Sequence, residues 1–413
     1  MTNEDITRTA FKVWGRELYK TTSLTSIARE LGVSKPALYR HFKDKQALLD
    51  AMYSSFFDEY AAFIKGSYEK ALMTKDKGER FYIMMRAITE YYIRNKDAFL
   101  FSLLQVYSSL EMRAMAERLA ANGINLVKLA READDSGMYP SRSQFIFVTG
   151  IFWVAHFHRN IHKGEGAPEE KLVAGTLADM EKRIRHGLGL KVQKIAALDF
   201  NMLEAAAAGS YEKETEDNKL LQAVAGAVAQ AGPWNASMEM VAKRSGLSKS
   251  GLYAHFKSRQ DMLGRLFLTE FDRIIDYAGA KVNTSRVPEA QLYLAIFSIV
   301  DYLRSKPEIL IALDWFKTRR LELGAEVPAR IYDPITNIKL DVFAKAGDDS
   351  THEAQWILFM IVNMLVRWIP GNKGDTAWPE EKKNERFKEI RNISNESARI
   401  LYKFIVLGLE GLS

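Results

Sequence analysis

A stretch of 27 residues occurs twice in this chain, and a long internal repeat constrains the fold more than any overall composition. Residues 23–49, SLTSIARELGVSKPALYRHFKDKQALL, align without a gap to residues 237–263, SMEMVAKRSGLSKSGLYAHFKSRQDML, at an offset of 214. Twelve of the 27 positions are identical, namely Ser23, Ala28, Gly32, Ser34, Lys35, Leu38, Tyr39, His41, Phe42, Lys43, Gln46 and Leu49 with their partners. Others keep their chemical type, as Ile27 against Val241 and Arg29 against Lys243 do. Fainter echoes follow downstream. Tyr92–Lys96 returns as Tyr302–Lys306 at an offset of 210, and Phe145–Asn160 as Trp356–Gly371 at 211. Both apolar segments are followed by Pro-Glu-Glu, at 168–170 and 379–381. A nearly constant offset implies that a whole unit of about 200 residues was duplicated, so that two units fill the chain.

A chain of 413 residues is too long for one hydrophobic core and fits two to four domains. The repeat suggests a first head over 1–50, a helical domain over 51–205 and a connector over 206–217. A second head over 218–264 and a second helical domain over 265–413 complete the division. The join is expected in Leu203–Asn218, LEAAAAGSYEKETEDN, where small residues and then mixed charges suit an exposed connector. Apolar residues recur at helical spacing, as in Leu48, Met52, Phe56 and Tyr60, and alternating patterns are scarce, so the predicted class is all-α.

The chain contains no cysteine, which excludes disulfides, thiolate metal sites and thiol nucleophiles. The N-terminus, with Glu4 and Asp5, lacks the pattern of a signal peptide. The most apolar stretches, Phe145–Phe157 and Trp356–Val366, are shorter than the roughly 20 residues of a membrane span. They read as helices buried inside a bundle, and a cytoplasmic location is expected.

Taken alone, the first copy describes a small trihelical head. Ile6, Ala10, Phe11 and Trp14 form a stripe on one helix. Thr22 or Ser23 can cap a second helix over Ser26–Glu30, and Gly32 supplies the left-handed turn that ends it. Ser34 caps a third helix running from Lys35 to about Phe42, with Pro36 in its first turn. These are the elements of a helix-turn-helix, whose second helix enters the major groove of DNA. The charge agrees with this. Residues 1–50 carry nine Lys/Arg against six Asp/Glu, and residues 218–264 carry six against two, while the whole chain is only +6. Charge alone does not separate a phosphate-binding face from a solvated helix face. Leu38 and Phe42 should pack inward, leaving Lys35, Pro36, Ala37, Tyr39 and Arg40 available to DNA.

The run Gly-Val-Ser-Lys-Pro-Ala-Leu-Tyr-Arg-His-Phe-Lys-Asp-Lys-Gln-Ala-Leu-Leu resembles the signature of the tetracycline-repressor (TetR) family, and the second copy matches it again. The resemblance covers about fifty residues of each copy. It implies two fused units, each a helix-turn-helix head followed by a helical ligand and dimerisation domain, forming an intrachain pseudo-dimer. It also implies that Tyr39, His41 and Lys45, with Tyr253, His255 and Arg259, touch backbone phosphates; Lys43, well placed for phosphates by its position, and Lys257 join the DNA-facing set. Lys35, Pro36, Ala37 and Arg40 would face bases in the first head, and Lys249, Ser250, Gly251 and Ala254 in the second. The capping positions Ser23, Ser34, Ser237 and Ser248 belong to the same DNA-facing set. Two departures stand out. Where the family usually has Gly before an aromatic at the end of helix one, the copies have Leu18-Tyr19 and Gly232-Pro233-Trp234. The second copy also has a small helix-one stripe, Val224, Ala225 and Val228, which suggests a less firmly packed head.

Other readings compete at single residues. His41 and His255 could in principle be catalytic bases, but the helix-turn-helix frame favours a structural or phosphate-contact role. His156, His158 and His162 could share a metal, yet no carboxylate neighbours them at matching spacing, and a polar helix end is preferred. Tyr92, Phe99, Trp153, Tyr302, Trp315 and Trp356 are candidates for lining a partly apolar effector site, against the plainer reading that they are core. No phosphate loop, Ser-His-Asp order or paired-carboxylate motif is present, so neither a cofactor nor an enzymatic activity is expected. The expected partners are a double-stranded DNA operator and a small-molecule effector, and the expected state is a monomeric pseudo-dimer or a homodimer of it. The expected function is a ligand-responsive transcriptional repressor acting on an asymmetric operator. The alternative is an interaction or scaffold regulator whose second head no longer binds DNA.

Overall fold

The computed structural model describes residues 2–16, 23–106, 112–132, 139–164, 166–207, 216–319, 340, 350–367 and 380–412. Among them all regular structure is helical and no strand occurs. The chain separates into two compact units, 1–181 and 182–413.

The first unit opens with its head: α1 (Asn3–Arg16), α2 (Leu24–Glu30) and α3 (Lys35–Tyr39). Ile6, Ala10, Val13 and Trp14 from α1 are buried with Leu24, Ile27, Ala28, Leu38 and Phe42. Ser23 caps α2 through a reciprocal capping box with Ser26. Gly32 takes φ 69° in the turn, and the Ser34 side chain accepts from Ala37 N at 3.3 Å to start α3. Helix α3 ends at Tyr39 rather than near Phe42, although Phe42 N still donates to Leu38 O at 3.1 Å and the side chain stays buried.

The body of this unit holds α4 (Lys45–Met73), α5 (Lys77–Arg94), α6 (Lys96–Phe101), α7 (Met112–Ala121), α8 (Leu126–Glu132), α9 (Tyr139–His156) and the start of α10 (Glu170–His186). Two π-helical turns, Ser102–Val106 and Phe157–Ile161, extend α6 and α9. Its centre is a seam of rings. Phe56 stacks on Tyr60 at 5.7 Å, Tyr60 meets Tyr91 and Tyr92 at 5.0 and 5.7 Å, and Phe101 lies 5.7 Å from Phe56. Phe11 leaves the head and meets Phe101 edge-on at 4.9 Å. Such a pair contributes about 0.5–1.5 kcal/mol beyond its buried area and joins α1 to α6. The Arg94 guanidinium donates to both Glu170 oxygens at 2.7 Å and to Glu90, fixing the end of α5 against the start of α10.

The second unit begins at Lys182 with the last turn of α10, followed by α11 (Val192–Ala196) and α12 (Phe200–Ala207). Its head is α13 (Glu216–Asn235), α14 (Met238–Ser245) and α15 (Lys249–His255). Its body is α16 (Arg259–Val282), α17 (Pro288–Ser305), α18 (Pro307–Arg319), α19 (Ser350–Arg367), α20 (Glu380–Arg391) and α21 (Asn395–Leu407). The duplication is visible in the elements themselves, since Tyr139–His156 recurs 211 residues later as Ser350–Arg367.

Two expectations change here. The small stripe of α13 does not loosen the second head. Val224, Ala225, Ala227 and Val228 are fully buried, and the helix packs along α18 as well as α14 and α16. Small side chains let two helix backbones approach closely, so the helix is enclosed rather than weakly held. Where the family pattern is broken, Gly232 takes φ 74° and kinks α13, while Leu18 and Tyr19 lie outside the described residues. The connector expected over Leu203–Asn218 also starts later than its composition suggests. Leu203, Glu204 and Ala207 on α12 are buried in the second unit, and residues 208–215 lie outside the described residues.

Glu204 explains that burial. Its carboxylate accepts from Arg399 Nε at 2.7 Å, Tyr293 Oη at 2.5 Å and Asn395 Nδ2 at 2.8 Å. Burial acts to raise its pKa, but these donors outweigh it and the carboxyl stays below its ordinary range. Further along, Leu188 N donates to Ile405 O and Leu409 N to Ile184 O, so the end of α10 runs against the chain terminus. Gly187 and Gly408, at φ 55° and 64°, allow this crossing because a Cβ on either would meet the opposing backbone.

Candidate nucleic-acid interface

Each head presents the residues left after its core is filled. In the first, Leu38 is fully buried and turns α3 so that Lys35, Pro36, Tyr39 and Arg40 are exposed and Ala37 is half-buried. Tyr39 keeps 42% of its surface exposed. The Lys35 ammonium lies 5.7 Å from the Tyr39 ring centroid. Ser23 and Ser34 are exposed at the starts of α2 and α3, their hydroxyls already accepting backbone amides as caps. Lys43 is exposed, and Lys45 is half-buried at the first position of α4, which Asp44 caps. Burial alone lowers the Lys45 pKa. His41 Nδ1 donates to Asn3 Oδ1 at 2.7 Å, tying α1 to the end of α3 and leaving Nε2 as the ring's other nitrogen. This contact across 38 residues was not visible in the sequence pattern.

The second head repeats the arrangement with different chemistry. Leu252 and Phe256 are buried, while Lys249, Ser250, Tyr253, Ala254, His255 and Lys257 are exposed and Gly251 and Arg259 half-buried. Tyr253 keeps 49% of its surface exposed. Ser237, Ser248 and Ser258 cap α14, α15 and α16, and Gly246 turns the chain at φ 72°. Asp261 accepts from Lys257 N at 2.8 Å and from Arg265 Nε at 3.1 Å, and these bonds hold its carboxyl below the usual range. Lys249 forms an ion pair with Glu239 on α14. Position 25 of the first head, the counterpart of Glu239, is threonine, so the pair has no equivalent there. Similarly, Lys12 pairs with Glu30 at 3.4 Å in the first head, whereas the second has Gly226 lying under the Arg244 side chain.

The two surfaces are thus exposed helices flanked by cations and serine caps, able to donate to phosphates and to reach base edges. The comparisons agree with that geometry. A model described as "Bacterial regulatory proteins, tetR family" matches residues 6–52 and again 220–266. Both heads match the tetR family, and the match is confined to the heads. Among its relatives, the tetracycline repressor protein class C of Escherichia coli is 32% identical over 94 residues, covering 19% of this chain and 43% of the repressor. An HTH-type transcriptional regulator of Mycobacterium tuberculosis is 25% identical over 162 residues, covering 38% of this chain and 77% of its own length. A solved structure of the TetR family regulator PfmR from Thermus thermophilus is 20% identical and covers 46% of this chain and 99% of PfmR, at a TM-score of 0.32. That likeness carries no argument, and the architecture rests on the chain's own contacts.

The candidate effector residues are all interior where they are described. Tyr92, Phe99 and Trp153 are buried in the ring seam and beside Phe152 in the first unit. In the second unit, Tyr302 Oη donates to buried Glu270 at 2.6 Å and accepts from Lys306 Nζ at 2.9 Å. Trp356 is fully buried beneath the Arg183 guanidinium at 5.0 Å. The side chain of Trp315 lies outside the described residues. The three histidines considered for a metal go to separate partners: Asn160 Nδ2 donates to His156 Nδ1, and His158 Nε2 and His162 Nε2 donate to the carbonyls of Tyr92 and Gly166. No described helix is long and apolar enough to cross a membrane.

Proposed function

We propose that this chain is a ligand-responsive transcriptional repressor in which one polypeptide does the work of a homodimer on an asymmetric operator. The observation that carries the reading is the second head: a complete helix-turn-helix with its caps, its left-handed glycine and its exposed recognition helix, covalently linked to a first that differs at base-facing positions. Arg40 can make a bidentate contact to guanine and Ala254 cannot, so the first half-site is the more discriminating. Repression is supported by the tetracycline repressor among the relatives. Response to a partly apolar effector rests on the family resemblance, with Tyr92, Phe99, Trp153, Tyr302, Trp315 and Trp356 as candidate contacts.

Selection from random duplex DNA with the full chain tests this directly. Two unlike half-sites are expected, and recovery of a perfect palindrome rules out the asymmetric pseudo-dimer. Repeating the binding measurement with small molecules from a screen tests the sensor, and no coupling to any of them removes the effector while leaving DNA recognition intact. The Lys249–Glu239 pair gives a second reading, in which the second head serves as a scaffold. In that case Tyr253→Ala and Lys257→Ala leave operator affinity unchanged.

A further inference from the structure

We infer that Glu239 restrains the second head, holding Lys249 on the protein surface so that this head engages DNA more weakly and with less sequence preference than the first. The inference rests on the reading that both recognition helices meet DNA. Lys249 is the first residue of α15, the place from which Lys35 reaches outward in the other copy. Glu239 lies in the first turn of α14, on the other side of the Gly246 turn, and its carboxylate takes up the Lys249 ammonium. Threonine at position 25 gives Lys35 no such carboxylate, and that lysine leans over the Tyr39 ring instead.

Two physical effects act together. The pair removes one cation from the set that neutralises phosphates, and the carboxylate adds a negative charge on the DNA-facing side. Both members are more than half exposed, so the pair is a weak one that DNA can break, rather than a strut of the fold. The Lys249 ammonium holds the Glu239 carboxyl down to about 2, so the pair stays charged throughout the pH range of any DNA-binding measurement. Ser237 caps α14 through its own hydroxyl, and glutamine at 239 keeps the size and hydrogen-bonding capacity of the side chain. The substitution therefore tests charge and leaves the helix intact.

The experiment measures affinity of the full chain for its selected operator over a salt series. Glu239→Gln is expected to tighten binding about two- to five-fold, the range of an exposed ion pair, and to steepen the dependence of log Kd on log salt by about one. Thr25→Glu should loosen the first head in the opposite sense. A second arm places Tyr253→Ala and Lys257→Ala in the native and Glu239→Gln backgrounds. If these weaken binding in either background and Glu239→Gln tightens it, the restraint stands. If they weaken binding but Glu239→Gln changes neither affinity nor slope, the head engages DNA and the restraint is overturned. If they have no effect in either background, the second head does not read DNA, and the functional reading and the inference fall together.

Discussion

His158 lies in the π-helical turn after α9, where its Nε2 donates to Tyr92 O at 2.9 Å and its ring sits 6.0 Å from Phe99. Burial pushes its pKa down to about 4, with Lys96 and His162 acting the same way and the Tyr92 carbonyl opposing them. Burial and then Arg159 bring His156 to about 4 as well. An unfolded histidine titrates near 6.5. Below that pH the unfolded chain takes up protons that the folded chain refuses, so stability falls from about pH 6.5 towards 4 and is flat above. The thermal midpoint should drop between pH 7 and pH 5, and His158→Asn should shrink the drop; an unchanged drop contradicts the assignment. At this scale Gly32, Ser34 and Leu38 were legible because turn, cap and inward position are local properties of neighbouring residues. Glu239 and the His41–Asn3 bond were not, since each depends on which side chain the fold brings across a turn or from another helix.

Elements follow their own logic. The exposed caps and left-handed glycines recur in both copies because a helix end leaves the same unsatisfied groups wherever it occurs. The crossing of the α10 terminus with the α21 terminus has no such local signature. Gly187 and Gly408 look like ordinary helix-end glycines, and only the backbone lying against each makes them irreplaceable. Gly408→Ala combines a positive φ with a backbone clash and should cost at least about 2 kcal/mol in chemical denaturation. Gly189→Ala, at φ 73° with open space around it, should cost about 1 kcal/mol. Equal losses would show that the crossing does not need glycine. Helix α13 makes the same point from the other side. Its small residues suggest weak packing when α13 is considered alone, and close packing once α18 lies along it.

For the whole molecule, the duplication predicts two heads with unequal vocabularies. Arg40→Ala should cost about 1–3 kcal/mol at a guanine-bearing half-site and relax preference there, while leaving the other half-site unchanged. Binding to operators mutated one half-site at a time measures this, and a uniform loss across sequences would assign Arg40 to a phosphate instead. The bodies have diverged in a comparable way. The first unit fills its centre with rings, whereas the second sets a buried carboxylate, Glu270, among Arg273, Tyr302 and Lys306. Tyr92 and Tyr302 occupy matching positions in the repeat, yet one lies in a stack and the other in a charged network.

Repetition, helical periodicity and the turn-and-cap pattern determined the all-α class, the two heads and the exposed face of each third helix, because each is set by residues close together in the chain. Tertiary structure alone decided that α12 belongs to the second core through Glu204, that α13 is enclosed, and that Lys249 is held by Glu239. Those outcomes depend on distances between residues far apart or across a turn, where the same side chain is a loose surface group or a bound one according to what the fold sets beside it.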